Sequence, residues 1–144
     1  MSQPTATAAA KSLVAAFFTD VRSGANLAAA ATYLAPRVIA HQLCSEEPLA
    51  IERSPADYAG HVREMIAACT GFHLSLDQLI AEDDLVYARW TQRGVYAIPD
   101  DDDFKIATPI VEFASAVYRV AGGKIVEYWM QVDRLGTQRQ VDRV

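Results

Sequence analysis

The sequence predicts an α+β fold in which three helices from the N-terminal half cover one face of a strongly twisted, mostly antiparallel sheet, making a cone-shaped barrel. Apolar residues recur at helical spacing through much of the first half, and the pattern changes from helical to alternating after Gly71. The strands that follow are joined by short turns, so they pair as hairpins, and the helices grouped before them must bury their apolar stripes on one face. A cone of this kind has a hollow interior, which is a natural small-molecule site. The 144 residues are read as one domain, 1–144, long enough to bury a sizeable core.

Residues 1–7 are small and polar and are expected to fray. From Ala8 onward Leu13, Val14, Phe17, Phe18 and Val21 fall at helical spacing, and Gly24 ends the run. Asn26 is placed to cap a shorter second helix carrying Leu27, Ala30, Ala31 and Leu34, which Pro36 stops. Arg37–Cys44 reads as the first strand. Ser54-Pro55-Ala56-Asp57 starts a third helix, because the serine caps, the proline suits the first turn and the aspartate complements the dipole. That helix carries Tyr58, Val62, Met65, Ile66 and Cys69 on one side, and Gly71 closes it. Phe72–Leu76 then alternates, and Glu82-Asp83-Asp84 turns the chain into a strand over Leu85–Tyr96. Ile106–Val120 is the next strand, Ala121-Gly122-Gly123 a hairpin turn, and Lys124–Asp133 the last strand. Residues 134–144 read as a C-terminal tail.

Composition narrows the function classes. The net charge is −5, and no Lys/Arg cluster is interleaved with aromatics, which argues against nucleic acid as a partner. The apolar stretch Leu13–Phe18 is too short to span a bilayer and has no basic leader, so the expected location is cytoplasmic. Cys44 and Cys69 form no C-x-x-C pair; they read as half-buried free thiols, with a disulfide left open. Asp100–Asp103 follows Pro99 and reads as a solvated loop, since metal loops set their carboxylates alternately around a glycine turn. No metal is expected.

At the last two strands the pattern becomes specific. Val117-Tyr118-Arg119-Val120, then Gly123-Lys124-Ile125-Val126-Glu127-Tyr128-Trp129 and Asp133, resembles the recurring phrase of the SnoaL-like polyketide cyclases. Tyr33-Leu34-Ala35-Pro36 leading to His41 is similar to that family's first strand, and Leu85–Thr91 with Arg93-Gly94 to its central strand. The resemblance runs from about Ala25 to Gln140 and implies the nuclear-transport-factor-2-like cone, shared with ketosteroid isomerase. Three features depart from the family, one being that the loop Ala97–Thr108 is unusually acidic and lacks the glycines common there. Gly94-Val95-Tyr96 stands where Gly-Thr-His is common, and Gly71-Phe72 where Pro-Asp is common.

The resemblance implies ring closure by an intramolecular aldol step, with no cofactor, on a hydrophobic polyketide-like ligand. A carboxylate in an apolar hollow suits such chemistry, because desolvation raises its basicity. Asp133 takes the family's acid/base position, and His41 its pocket histidine. Each also has a structural reading, Asp133 as a cap for Arg134–Gly136 and His41 as a strand histidine bonded to a backbone carbonyl. Alternation puts Ile125, Glu127, Trp129, Gln131 and Asp133 on one face of the last strand, so Trp129 and Gln131 would share the pocket with Asp133. The other row, Val126, Tyr128, Met130 and Val132, is then an apolar outer face, which predicts a homodimer through Tyr128, Met130 and Val132.

Trp90 is either core or pocket wall, and Phe17, Tyr33 and Tyr58 are helix-face aromatics of which some should line the hollow. Arg89, sharing a face with Tyr87 and Arg93, points outward, as does His73, while His61 is solvated. No serine or cysteine has a base and orienter beside it, so a hydrolytic triad is disfavoured. Besides the cyclase, two readings keep the pocket: an isomerase, dehydratase or hydratase, and a non-catalytic ligand-binding dimer.

Overall fold

The structure, a computed structural model, describes residues 5–99 and 105–142. The acidic run Asp100–Asp103 lies outside the described residues. Thr5 caps the first helix, its hydroxyl accepting from the Ala8 N–H at 3.0 Å, and α1 runs from Ala6 to Phe17. The expected fraying therefore does not reach Thr5–Thr7: Thr7 donates its hydroxyl to the Asp83 carbonyl at 3.0 Å. The helix continues as a π turn over Phe18–Arg22, closed by the Ser23 N–H on the Phe18 carbonyl at 3.0 Å. Gly24, at φ +83°, ends it.

The second helix is shorter than its sequence suggests. A 3₁₀ turn at Leu27–Ala29 leads into α2, Ala30–Tyr33, and Leu34 already belongs to strand β1, Leu34–Gln42. Its stop is tertiary, because the Lys124 ammonium donates to the carbonyls of Ala31 and Thr32 at 2.7 and 2.8 Å. Pro36 is tolerated in β1 because the ladder to its neighbour is interrupted between Leu34 and Ile39, where a missing N–H costs no bond. Strand β2, Leu49–Arg53, was not legible; it is a short, exposed edge strand without clean alternation. Helix α3, Pro55–Ala67, opens with a full capping box between Ser54 and Asp57.

Strands β3 (Cys69–Glu82), β4 (Leu85–Pro99), β5 (Lys105–Ala121) and β6 (Lys124–Val132) follow, and then helix α4, Arg134–Asp142. The last helix replaces the expected tail. It has no buried residue and so carries no apolar stripe to betray it. The sheet order is β2-β1-β6-β5-β4-β3, parallel only between β1 and β6, and it does not close, leaving β2 and β3 as edges. No helix among the described residues is long and apolar enough to cross a membrane.

The helices lie on the concave face, where small and large residues interlock. Ala88, Ala114 and Ala116 leave room for Phe17, Phe18, Tyr58, Trp90, Tyr118 and Tyr128, all of them buried. Phe17 meets Phe18, Tyr58 and Tyr118 with ring centroids 5.3–5.8 Å apart. These rings fill the narrow part of the cone.

Strand β6 breaks the period of two. Val120 pairs with Ile125 but Arg119 pairs with Glu127, so Val126 is a bulge, with two residues of β6 facing one of β5. Ile125 and Tyr128 are both buried, a spacing of three that regular alternation forbids. After the bulge the rows exchange faces. Tyr128 enters the core, with Met130 and Val132 packed against it, while Glu127, Trp129 and Gln131 turn to the convex face. The expected outer row of Tyr128, Met130 and Val132 is thus an inner row, and it cannot supply an outer dimer surface.

This assignment is tested by truncation. Tyr128→Ala should cost about 3 kcal/mol in urea unfolding, and Trp129→Ala less than half as much. The reverse ranking would mean that no bulge exists.

Candidate active site

The open end of the cone keeps a concavity of about 250 Å³. Met65 of α3, Gln92, Tyr96 and Ile98 of β4, Ile110 and Glu112 of β5, and Thr137 and Val141 of α4 line it. Alternation along β4 carries Val86, Ala88, Trp90, Gln92, Gly94 and Tyr96 down one face, so the interior passes from apolar to polar at Gln92. Glu112 is the direct cross-strand partner of Gln92. Such neighbours hold their Cβ atoms about 5 Å apart.

Behind Gln92 lies Arg22, which the π turn directs at the sheet beside Phe18. Arg22 is only 6% exposed; its Nη2 donates to Gln92 Oε1 at 2.7 Å, and its guanidinium lies 5.4 Å from the Trp90 ring centroid. Among the described residues Arg22 Nη1, Trp90 Nε1 and the Tyr118 hydroxyl are buried without partners. Burial raises the Glu112 carboxyl above the ordinary carboxylate value; the Arg22 charge opposes the rise, and Asp133 adds to it. Tyr96, where the family pattern often has histidine, borders the pocket, and burial pushes its phenol up to about 12. Gly94 is required nearby, since a Cβ there would lie 2.8 Å from the Cys69 sulfur.

The residues expected at the site do not meet in this concavity: His41 stacks on Trp129, and Gln131 and Asp133 line a separate, open hollow of about 240 Å³ with Arg89 and Phe113. Asp133 is exposed and caps α4: its Oδ1 accepts from the Gly136 N–H at 3.0 Å, and its carbonyl from the Thr137 N–H at 3.2 Å. It does not line the pocket; its charge reaches Glu112 from outside. His41 lies on the convex face, because alternation with the buried Val38 and Ala40 of β1 turns it the other way. Its Nε2 is paired with Glu127 Oε2 at 2.7 Å, and its ring stacks on Trp129 at 5.0 Å and 3°. Arg119 lies over the same Trp129, 5.5 Å from its centroid. Trp129 and Gln131 are therefore outside the cone, for the reason the bulge supplies.

Trp90, Phe17 and Tyr58 are core residues rather than walls of the concavity. Tyr33 is half-buried at the end of α2, its hydroxyl bonded to Asp20 and its ring edge against Phe17. Cys44 and Cys69 are free thiols. Arg89 faces outward, and His61 and His73 are exposed, as the alternation and helix spacing suggest. Arg22, Gln92 and Glu112 carried no sequence signal of their own beyond polar residues interrupting apolar rows.

The fold is an α+β cone whose open end carries an apolar concavity with, among the described residues lining it, one carboxylate. The chain belongs to the SnoaL-like polyketide cyclase family, whose model matches residues 12–141. Solved structures agree. A polyketide cyclase candidate from Acidithiobacillus ferrooxidans superposes with TM-score 0.76 at 24% identity, covering 97% of this chain and 99% of that one. TsrD from Streptomyces laurentii gives 0.74 at 19%, covering 98% and 100%. A ketosteroid-isomerase-like protein from Catenulispora acidiphila, bound to trimethylamine, gives 0.67 at 15%, covering 90% and 92%. At these identities the likeness is one of fold. No curated protein matches the chain.

The raised Glu112 carboxyl has a consequence for stability. A carboxyl that holds its proton more tightly folded than unfolded loses stability as pH rises from the ordinary carboxylate value through its raised value. Glu112→Gln should therefore melt higher than the wild type at pH 7, with the gap closing below pH about 4. A lower melting temperature at pH 7 would show that Glu112 is stabilised as an anion.

Proposed function

We propose that this chain is a cytoplasmic, cofactor-independent acid/base enzyme of the aldol-cyclase type, acting on a hydrophobic polyketide-like molecule with Glu112 as its base. The observation that supports it is the setting of Glu112: a half-buried carboxylate, raised by desolvation, facing an apolar concavity with a cationic Arg22 behind its cross-strand neighbour. Such a group is both a stronger base at neutral pH and a competent acid once protonated. Asp133 is assigned a positioning role, capping the helix that roofs the pocket and raising Glu112 by its charge. His41, bound to Glu127 on the convex face, is left out of the chemistry. The same base and pocket would serve isomerisation or dehydration.

The rings that fill the narrow end of the cone favour a second reading, a ligand binder without catalysis. Kinetics separate the two. Glu112→Gln should lower turnover of a planar polyketide substrate at least about 100-fold while leaving its binding nearly unchanged. Asp133→Asn keeps a good cap and should retain turnover within a few-fold, but move the acidic limb of the pH profile downward. Turnover indifferent to Glu112→Gln would leave only the binder.

A dimer remains part of the proposal, now through the convex face, where Ile39, Ile80, Val95 and Phe113 are exposed apolar residues. Phe113→Arg should shift the mass in light scattering from dimer to monomer. An unchanged mass would exclude this face.

A further inference from the structure

We propose that Arg22 is a positioning residue that locks the Gln92 amide with its NH₂ group toward the pocket, making Gln92 the donor to the carbonyl oxygen of an enolisable ketone whose α-proton Glu112 removes. This rests on the reading of Glu112 as the base. A guanidinium has donors only, so the Gln92 atom 2.7 Å from Arg22 Nη2 must be the amide oxygen. The NH₂ group is thereby turned the other way, where it meets Met65 Sδ at 3.4 Å on the pocket wall. A thioether is a weak acceptor. Gln92 is 3% exposed, and beside Met65 its amide meets the Tyr96 hydroxyl on the same pocket lining, so a ligand oxygen competes there only with a thioether and a phenol.

A ligand oxygen at that position gains a preorganised donor, and the Arg22 charge behind it polarises the amide further. Arg22 can hold this orientation because, among the described residues, it makes no ion-pair contact: its Nη1 has no partner, its ring contact is Trp90, and Glu112 feels its charge only at longer range. Gln92 and Glu112 lie opposite each other across β4 and β5, so one ligand can present its carbonyl oxygen to the first and its α-carbon to the second. The ionised Glu112 takes the α-proton, the C–H electron pair forms the enolate, and its oxygen is held by the Gln92 N–H. Return of the proton from Glu112 to carbon restores the ketone, so no co-reactant is needed.

The reaction is readable without the native substrate, as hydrogen–deuterium exchange at the α-carbons of 2-tetralone in D₂O, followed by proton NMR. Wild type should exchange faster than buffer. Gln92→Leu should lower kcat roughly 100-fold with little change in KM, and Arg22→Met on the order of tenfold, with Arg22→Lys recovering most of it. A ligand-free measurement stands beside it: a nuclear Overhauser effect between the Gln92 side-chain amide and the Met65 methyl, present in wild type and Arg22→Lys and lost in Arg22→Met. If Arg22→Met does not fold, absence of that effect in wild type overturns the proposal. Exchange abolished by Glu112→Gln but untouched by Gln92→Leu overturns this inference and leaves the base intact. Exchange untouched by Glu112→Gln overturns the base. No exchange by wild type overturns the ligand class.

Discussion

Everything in this molecule hangs on how six aromatic rings are seated on a sheet that offers them alanines. Phe17 from α1, Phe18 from the π turn, Tyr58 from α3, and Trp90, Tyr118 and Tyr128 from the sheet form one contact network. Packing at crystal-like density is what lets such a network fix helix positions to within a side-chain width. Because the rings come from both layers, they set where α1 and α3 lie on the sheet, and they leave the far end open. The location of the pocket is thus a consequence of what fills the remainder.

The bulge at Val126 is the second constraint, and it explains the shape of the family phrase in β6. Gly122 and Gly123, at φ +58° and +74°, make the turn, Lys124 closes α2, and Ile125 enters the core. Val126 is the extra residue that rotates the strand, after which Glu127 meets His41 and Tyr128 meets Tyr58. Almost every residue in the phrase has a packing duty. A motif that looks catalytic by position therefore secures the joint between helices, β1 and β6.

At the open end the electrostatics follow from the packing. A π turn brings Arg22 inside, Gln92 receives it, and Glu112 faces the pocket with its carboxyl raised by desolvation. A buried guanidinium near a desolvated carboxyl is costly to build, and α4 lines the same concavity through Thr137 and Val141. That helix is held by Asp133 at its start and by Gln140, whose amide accepts from the Val111 N–H at 2.9 Å and donates to the Val111 carbonyl at 2.7 Å. Val111 is next to Glu112, so the roof and the carboxylate are anchored at one point.

Taken alone, the sequence determined the fold class, the apolar stripe of α1 and the start of α3, the hairpin order of the last strands, and the family. These depend on local periodicity, caps and glycine turns, which are written in neighbouring residues. It also held the clue to the β6 error, since Tyr128, Met130 and Val132 form the more apolar row and therefore belong inside. Only the tertiary structure decided that row's direction, because a bulge is a mismatch between two strands rather than a property of one. The same holds for β2 and α4, which lack their own apolar period and exist through pairing and capping. It holds for the site as well. Arg22, Gln92 and Glu112 are 70 and 20 residues apart along the chain, and only the packing of a π turn against two paired strands makes them one group.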